Sequence, residues 1–473
     1  MKKQEANMKK MIKRITAALL MAGVMEGAAY AAPIPIRGVV EGFYGTPWTQ
    51  KERMDMLSFM AHYDMNAYIY APKDDPYHRE LWREPYPAFE EKNLAKLIKF
   101  ARENKIKFIF AVSPGLDLKY AGEAGEKDRR IMTEKLEAVY KLGARDFAIF
   151  FDDIEDKDGK GQADFLNYLT ENFVKKHKDV SPLITVPTEY YALNMEENSV
   201  VKKYTKTFSE TLDKSVLPLY TGRGVVCDSI PDIEYKAASR IYGRNLGIWW
   251  NYPVNDYMEE KLALGPVEDL PTESKVPAIF FNPMKFEESS KITVGTGAIY
   301  AKNPKKYNPD KAYREVIKYK YKDLAKEMIL VAAHSTHMEN SWAKVGRVDG
   351  REFNEKTAAL FEKLRLDEDA EKEFKAVEKE LAALNKATNT LLKKLPKKDL
   401  REMEPQLKEM KELVELSENA VSMLKVYKHN GDYEEMLNGV ISDYEEAVLR
   451  SETVMIADGS LGKFVRDAVL FVK

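Results

Sequence analysis

Two rhythms of apolar and polar positions run through the chain between about residues 36 and 300. The first consists of short runs rich in β-branched and aromatic side chains: Arg37 to Tyr44, Ala67 to Tyr70, Lys107 to Val112, Phe147 to Phe151, Leu183 to Val186, Leu217 to Tyr220, Gly247 to Trp250 and Ala278 to Phe281. Such runs predict strands. The second fills the gaps, in stretches such as Thr49 to Tyr63, Glu91 to Asn104, Lys127 to Leu142 and Gln162 to His177, where apolar residues recur at three- and four-residue steps along one helix face. Strand and helix in alternation predict a parallel sheet, and eight βα units predict a closed (β/α)8 TIM barrel over residues 32–305. An open doubly wound sheet usually carries a Gly-rich phosphate turn after its first strand, and none is present.

Beyond about residue 310 only the helical rhythm continues, with Lys and Glu surrounding apolar stripes, so residues 306–473 are expected to form an α-helical bundle. One stripe reads Met403, Leu407, Met410, Leu413, Ala420, Met423 and Tyr427, and core packing is its expected use. Pro396 and the Asn430, Gly431, Asp432 cluster break the pattern, which predicts three or four helices docked on the barrel. At the other end Lys9, Lys10, Lys13 and Arg14 precede an apolar stretch from Ile15 to Met25 and the small residues around Ala29 and Ala31. That layout predicts a signal peptide over residues 1–31 and a secreted or periplasmic protein. No later segment reaches the ~18 apolar residues of a membrane span, so none is expected once the signal is removed.

Composition narrows the chemistry. Hydrophobic residues make up 44% of the chain, which allows a large core. The 74 basic and 76 acidic residues leave a formal charge of -2, so nucleic acid is not an expected partner. The lone cysteine, Cys227, excludes an internal disulfide framework and disfavours a metal–thiolate site. No cofactor is expected.

In such a barrel the working residues stand at the C-terminal strand ends. There the sequence places Glu41 to Gly45, Lys73 with Asp74 and Asp75, Ser113, Asp152 with Asp153, Glu189 with Tyr190, Thr221, Trp249 to Asn251 with Asp256, and Asn282. Acids and amides that bind hydroxyls, with aromatic faces that cover a ring, resemble a sugar subsite. Asp152 and Asp153 are the sharpest feature: two neighbouring carboxylates repel, and one pKa is expected to rise. A carboxylic acid kept protonated can donate to a glycosidic oxygen while its ionised neighbour orients a group beside it. Two other readings of these residues stay open. Asp152, Asp153, Glu189 and Asp256 are oxygen donors suited to a divalent cation, and a glycan-binding protein without turnover would use Trp249, Asn282 and Asp256.

The runs V-V-E-G-F-Y-G-T-P-W, Y-A-P-K-D-D-P-Y-H, S-P-G-L-D, F-F-D-D-I, P-T-E-Y, L-Y-T-G and N-D-Y, spread in order over residues 36 to 300, resemble glycoside hydrolase family 84. The resemblance implies a retaining exo-β-N-acetylglucosaminidase, active on terminal N-acetylglucosamine of glycans or glycoproteins, with no metal; a hyaluronidase-like endo-acting enzyme is the alternative. It further implies that Asp152 orients the substrate's 2-acetamido group, that Asp153 is the general acid/base, and that Tyr190 hydrogen-bonds the acetamido oxygen. Gly42, Lys73, Asp256 and Asn282 are then expected on the sugar hydroxyls, Thr221 and Val225 along the pocket, Trp249 as its wall and Asn251 near the scissile bond. Trp250 departs from the family pattern and is expected either as a second wall or in the core. Carboxylates that leave one strand end are badly placed to act across the anomeric carbon, so the acetamido oxygen is the expected nucleophile, through an oxazoline.

Overall fold

The computed structural model describes residues 32–473, and the expected signal segment lies outside the described residues. Eight parallel strands close into one barrel: β1 Ile36–Glu41, β2 Ala67–Tyr70, β3 Lys107–Val112, β4 Asp146–Phe150, β5 Ile184–Val186, β6 Leu217–Tyr220, β7 Gly247–Trp250 and β8 Ala278–Phe281. Chain neighbours are sheet neighbours, and β8 closes on β1 with Ile36 opposite Ala278 and Val39 opposite Phe281. Side chains alternate along each strand. Val40, Ile69, Ala111, Phe150, Val186, Leu219, Trp249 and Phe280 therefore fill an inner core, while Val39, Tyr68, Phe110, Trp250 and Phe281 join the larger core under the helices.

Helices follow seven of the strands: α1 Gln50–His62, α2 Ala88–Glu103, α3 Gly122–Lys141, α4 Gly159–Asn172, α5 Lys203–Thr211, α6 Asp232–Tyr242 and α7 Glu287–Lys302. The first begins on a capping box, with Glu52 N–H donating to the Thr49 hydroxyl and Thr49 N–H donating to the Glu52 carboxylate at 2.7 Å. The expectation of eight βα units fails between β7 and β8, where residues 251–277 form no helix. Pro253, Pro266 and Pro271 interrupt any helical ladder there. Leu262, Leu264 and Val267 are nonetheless fully buried.

The region after the barrel holds more helices than the stripe predicts. They are α8 Pro309–Tyr321, α9 Ala325–Ala332, α10 Arg351–Arg365, α11 Glu371–Lys394, α12 Lys397–Lys428, α13 Glu434–Ser451 and α14 Lys463–Val472. A short antiparallel hairpin pairs Met338–Glu339 with Lys344–Val345. An apolar stripe marks a long helix with one solvated face, and short helices such as α9 and α14 are too brief to display one. The Met403 to Met423 stripe of α12 is buried, so the methionines serve packing.

The two regions are joined by buried charge. From α12, Glu402 accepts from Glu288 N–H at 3.1 Å and from Ser289 N–H and hydroxyl at 2.7 and 2.8 Å, capping the N-terminus of α7. Lys261 of the β7–β8 segment pairs with Asp349 at 2.7 Å and with Asp458. Among the described residues no helix is long and apolar enough to cross a membrane.

Candidate active site

The C-terminal strand ends open into a cavity of about 460 Å³. Gly42, Lys73, Asp152, Asp153, Tyr190, Thr221, Val225, Trp249, Asn251, Asp256 and Asn282 all line it. A strand alone would send Asp152 and Asp153 to opposite faces. Asp153 instead has φ of 55°, a left-handed conformation costing a non-glycine residue about 1–2 kcal/mol, and this turns both carboxylates to one side. Lys73, at the end of β2, contacts both: its ammonium donates to Asp152 Oδ2 and lies 3.9 Å from Asp153.

That lysine alters the expected electrostatics. Burial opposes charge on Asp153, but Lys73 and the hydroxyls of Tyr44 and Tyr190 outweigh it and hold the carboxyl below the usual aspartate range. Tyr44 and Tyr190 donate to its two oxygens at 2.8 and 2.9 Å. At Asp153 the rise expected from repulsion is thus overcome by the ammonium that stands between the two acids. The carboxyl that is raised is Asp256, chiefly through burial, although it accepts from Tyr44 N–H at 2.8 Å. Burial also works to lower Lys73, yet Asp152, Tyr44 and Asp153 keep it raised and charged.

Asp152 is the unusual group. Its Oδ2 is occupied by Lys73, whereas its Oδ1 is buried and has no hydrogen-bond partner among the described residues. A buried acceptor left open costs about 1–3 kcal/mol unless a ligand supplies the donor.

A line of hydrogen bonds shapes the opposite wall. Gly42 N–H donates to Asn282 Oδ1 at 3.3 Å, Asn282 Nδ2 to Asn251 Oδ1 at 3.0 Å, Trp249 Nε1 to the same oxygen at 2.7 Å, and Asn251 Nδ2 to Val225 O at 2.8 Å. Glycine is required at 42 because a Cβ there would stand 2.4 Å from the Trp249 ring. Thr221 donates to Gly224 O at 2.8 Å and holds the turn that carries Val225. Trp250, in contrast, is buried in the outer core and adds no wall. Cys227 packs under this turn, its thiol pushed up to about 11 by burial.

The metal reading needs Glu189 at the same point. Glu189 is instead buried beside Thr205, whose hydroxyl it accepts at 2.6 Å, and Lys157 at 3.4 Å, and it does not line the cavity. The four-carboxylate donor set does not assemble.

Tyr44, Tyr257 and Trp342 also line the cavity; the sequence reading placed Tyr44 in a strand-end run and Tyr257 in the N-D-Y motif without giving either a role, and it did not reach Trp342. Tyr44 sits within the strand-end run after β1, and its position there was the available signal. Trp342 belongs to the hairpin after α9, is 56% exposed, and packs on Tyr257 with ring centroids 5.2 Å apart. No strand-end rule points to it, because the fold brings it across from the helical region.

Comparisons with known proteins agree with this geometry. The chain matches the beta-N-acetylglucosaminidase family over residues 37–333 and a hyaluronidase post-catalytic domain-like family over residues 352–465. It is 34% identical to the Protein O-GlcNAcase of Mus musculus over 291 residues, covering 60% of this chain and 31% of that protein. With the Rattus norvegicus Protein O-GlcNAcase the identity is 34% over 286 residues, covering 59% and 31%. The chain thus spans about a third of the length of these curated relatives. Among solved structures, CpGH84B is similar with a TM-score of 0.86 and 38% identity over 92% of this chain and 77% of that one. A mutant Thermobaculum terrenum O-GlcNAc hydrolase is similar with a TM-score of 0.79 and 27% identity over 92% and 94%. From its motifs, its barrel and these matches, the chain belongs to the beta-N-acetylglucosaminidase family, glycoside hydrolase family 84.

Proposed function

We propose that the protein is a retaining exo-β-N-acetylglucosaminidase that releases terminal β-linked N-acetylglucosamine from glycans or glycoproteins through an oxazoline. The open Asp152 Oδ1 carries this reading. It is a charged acceptor in a sugar-sized cavity, lacking one donor, and the acetamido N–H of the substrate supplies one. A cavity of about 460 Å³ with an aromatic rim at Tyr257 and Trp342 suits one terminal sugar with its aglycone against the rim.

The chemistry follows from the two acids. The acetamido oxygen attacks the anomeric carbon as the bond to the aglycone oxygen breaks, and that oxygen takes a proton from Asp153. Asp152, holding the N–H, stabilises the positive charge that spreads over the forming oxazoline. Water then attacks the anomeric carbon, giving its proton to Asp153, as the bond to the acetamido oxygen breaks and the acetamido group is restored, so two inversions leave the configuration retained. In the free protein Asp153 is ionised under its tyrosine donors and Lys73. When Tyr190 turns to the acetamido oxygen and the sugar excludes water, Asp153 loses a donor and becomes more buried, and both changes raise its proton affinity. The basic and then apolar N-terminus supports export of this activity.

The test compares an aryl β-N-acetylglucosaminide with the aryl β-glucoside that lacks the acetamido group, with hyaluronan alongside. We expect hydrolysis of the first alone. Comparable cleavage of the glucoside would overturn the substrate-assisted reading, and fragmentation of hyaluronan would make the enzyme endo-acting.

A further inference from the structure

We propose that Arg79 is a positioning residue for the proton-transfer step, holding Asp153 through its main-chain carbonyl and through the hydroxyl of Tyr44. The inference rests on the reading of Asp153 as the acid/base. Arg79 stands in the loop after β2, outside the cavity lining. Its Nη2 donates to Asp153 O at 3.2 Å and its Nη1 to the Tyr44 hydroxyl at 3.0 Å, with the guanidinium 5.5 Å from the Tyr44 ring centre. Among the described residues it makes no ion pair with a carboxylate, so its side-chain hydrogen bonds go to these two atoms.

The direction of the bonds gives the arrangement its use. A guanidinium only donates and keeps its charge at any working pH. The Tyr44 oxygen therefore accepts from Arg79, and its own proton is aimed at Asp153 Oδ2, 2.8 Å away. The second contact fixes the carbonyl of a residue whose left-handed backbone leaves it free to relax. One side chain thus sets both the peptide plane and the carboxylate of Asp153.

The loop is rigid enough for the task. His78 is fully buried, its Nδ1 donates to Ala111 O at 2.7 Å, and its Nε2 meets the Ser113 hydroxyl at 3.1 Å. Ser113 N–H in turn donates to His78 O at 2.8 Å, tying the loop to the end of β3. The charged and titratable groups facing Asp153 are Tyr44 after β1, Lys73 and Arg79 after β2, Asp152 after β4, Tyr190 after β5 and Asp256 after β7. Of the three cationic or tyrosine groups that bond or ion-pair with its carboxylate, Lys73 and Tyr190 also line the sugar cavity, and Tyr44 does too. Arg79 does not, so its removal reads out on Asp153 without removing a substrate contact.

Arg79→Gln and Arg79→Lys are compared with the parent on an alkyl and a dinitrophenyl N-acetylglucosaminide across pH, after melting curves establish that each variant folds. Arg79→Gln is expected to lose about tenfold in kcat/KM on the alkyl substrate, a fraction of a full acid-catalytic contribution, and about threefold or less on the dinitrophenyl one. Its alkaline limb is expected at higher pH, because a cation and an oriented donor that favour the carboxylate are gone. Arg79→Lys keeps the charge but one prong only, and falls between. Equal losses on both substrates with an unmoved limb would reduce Arg79 to a loop anchor and overturn the inference. If the glutamine variant does not fold, a lysine variant indistinguishable from the parent does the same. Asp153→Asn separates this from the underlying reading: leaving-group dependence there, without it at Arg79, sinks the Arg79 inference alone, whereas its absence at Asp153 sinks the acid/base assignment.

Discussion

Two buried lysines in this molecule each stand between two aspartates, and they serve opposite ends. At the junction of barrel and helical region, Lys261 meets Asp349 at 2.7 Å and Asp458. Asp349 is saturated: its other oxygen accepts from Thr336 N–H at 2.6 Å, His337 N–H at 2.9 Å and the Thr336 hydroxyl at 3.1 Å. In the cavity, Lys73 meets Asp152 and Asp153, but Asp152 keeps one buried oxygen with no partner. Charge pairing alone does not distinguish a site from a fastener. Between these two clusters the difference is that Asp152 leaves an acceptor open where it lines a cavity, so that a donor can come from a ligand.

The comparison is sharpened first at Asp153. Asp153→Asn is expected to lose on the order of 10²- to 10⁴-fold on an alkyl glycoside and little on one with an excellent leaving group, since acid catalysis matters in proportion to leaving-group basicity. Steady-state rates on the two substrates provide the check. Asp152→Asn is expected to lose roughly 10²- to 10³-fold on both alike, the scale of removing one preorganised electrostatic contact. A strong leaving-group dependence in that variant would move the acid role to Asp152.

At the junction the effect should appear in stability and not in rate. Lys261→Met leaves Asp349 buried without its counterion and is expected to cost about 3–5 kcal/mol in urea unfolding, with kcat/KM of the folded protein unchanged. Loss of activity without loss of stability would break the distinction between the two clusters. The smallest effect concerns Glu287, at the head of α7, whose carboxyl is pushed up to about 8 by burial. A carboxyl with a raised folded-state pKa stabilises fully below the unfolded value and loses that contribution as pH rises through the folded one. The urea midpoint should therefore be lower at about pH 9 than at about pH 6.5, and Glu287→Gln should flatten the difference.

The barrel was legible because its strands announce themselves. β2, β3, β6, β7 and β8 begin and end where the apolar runs do, and the strand ends deliver the acids, amides and Trp249 that surround the cavity. The run after Ile36 reads too long, since Gly42, Phe43 and Tyr44 continue the apolar pattern while the chain has already bent into the site. Counting strands did not disclose the missing helix between β7 and β8, because a crossover can close a barrel without one. Nor did it disclose Arg79 or Trp342. The first depends on where a loop carries a guanidinium, and the second on a hairpin brought in from beyond the barrel. That Asp153 is lowered, where one of the two acids was expected to rise, was hidden for the same reason: only folding sets Lys73 between them.

The central claim is that the substrate's own acetamido oxygen, held by Tyr190 while Asp152 holds the acetamido N–H, is the nucleophile. It is tested most directly by measuring kcat/KM for aryl glucosaminides whose N-acetyl group carries none, one, two or three fluorines. Each fluorine withdraws electrons from the carbonyl and weakens its attack, so the account predicts a steep, continuous fall along the series. A flat series under conditions where chemistry limits turnover, together with a covalent sugar adduct on any side chain, would contradict it.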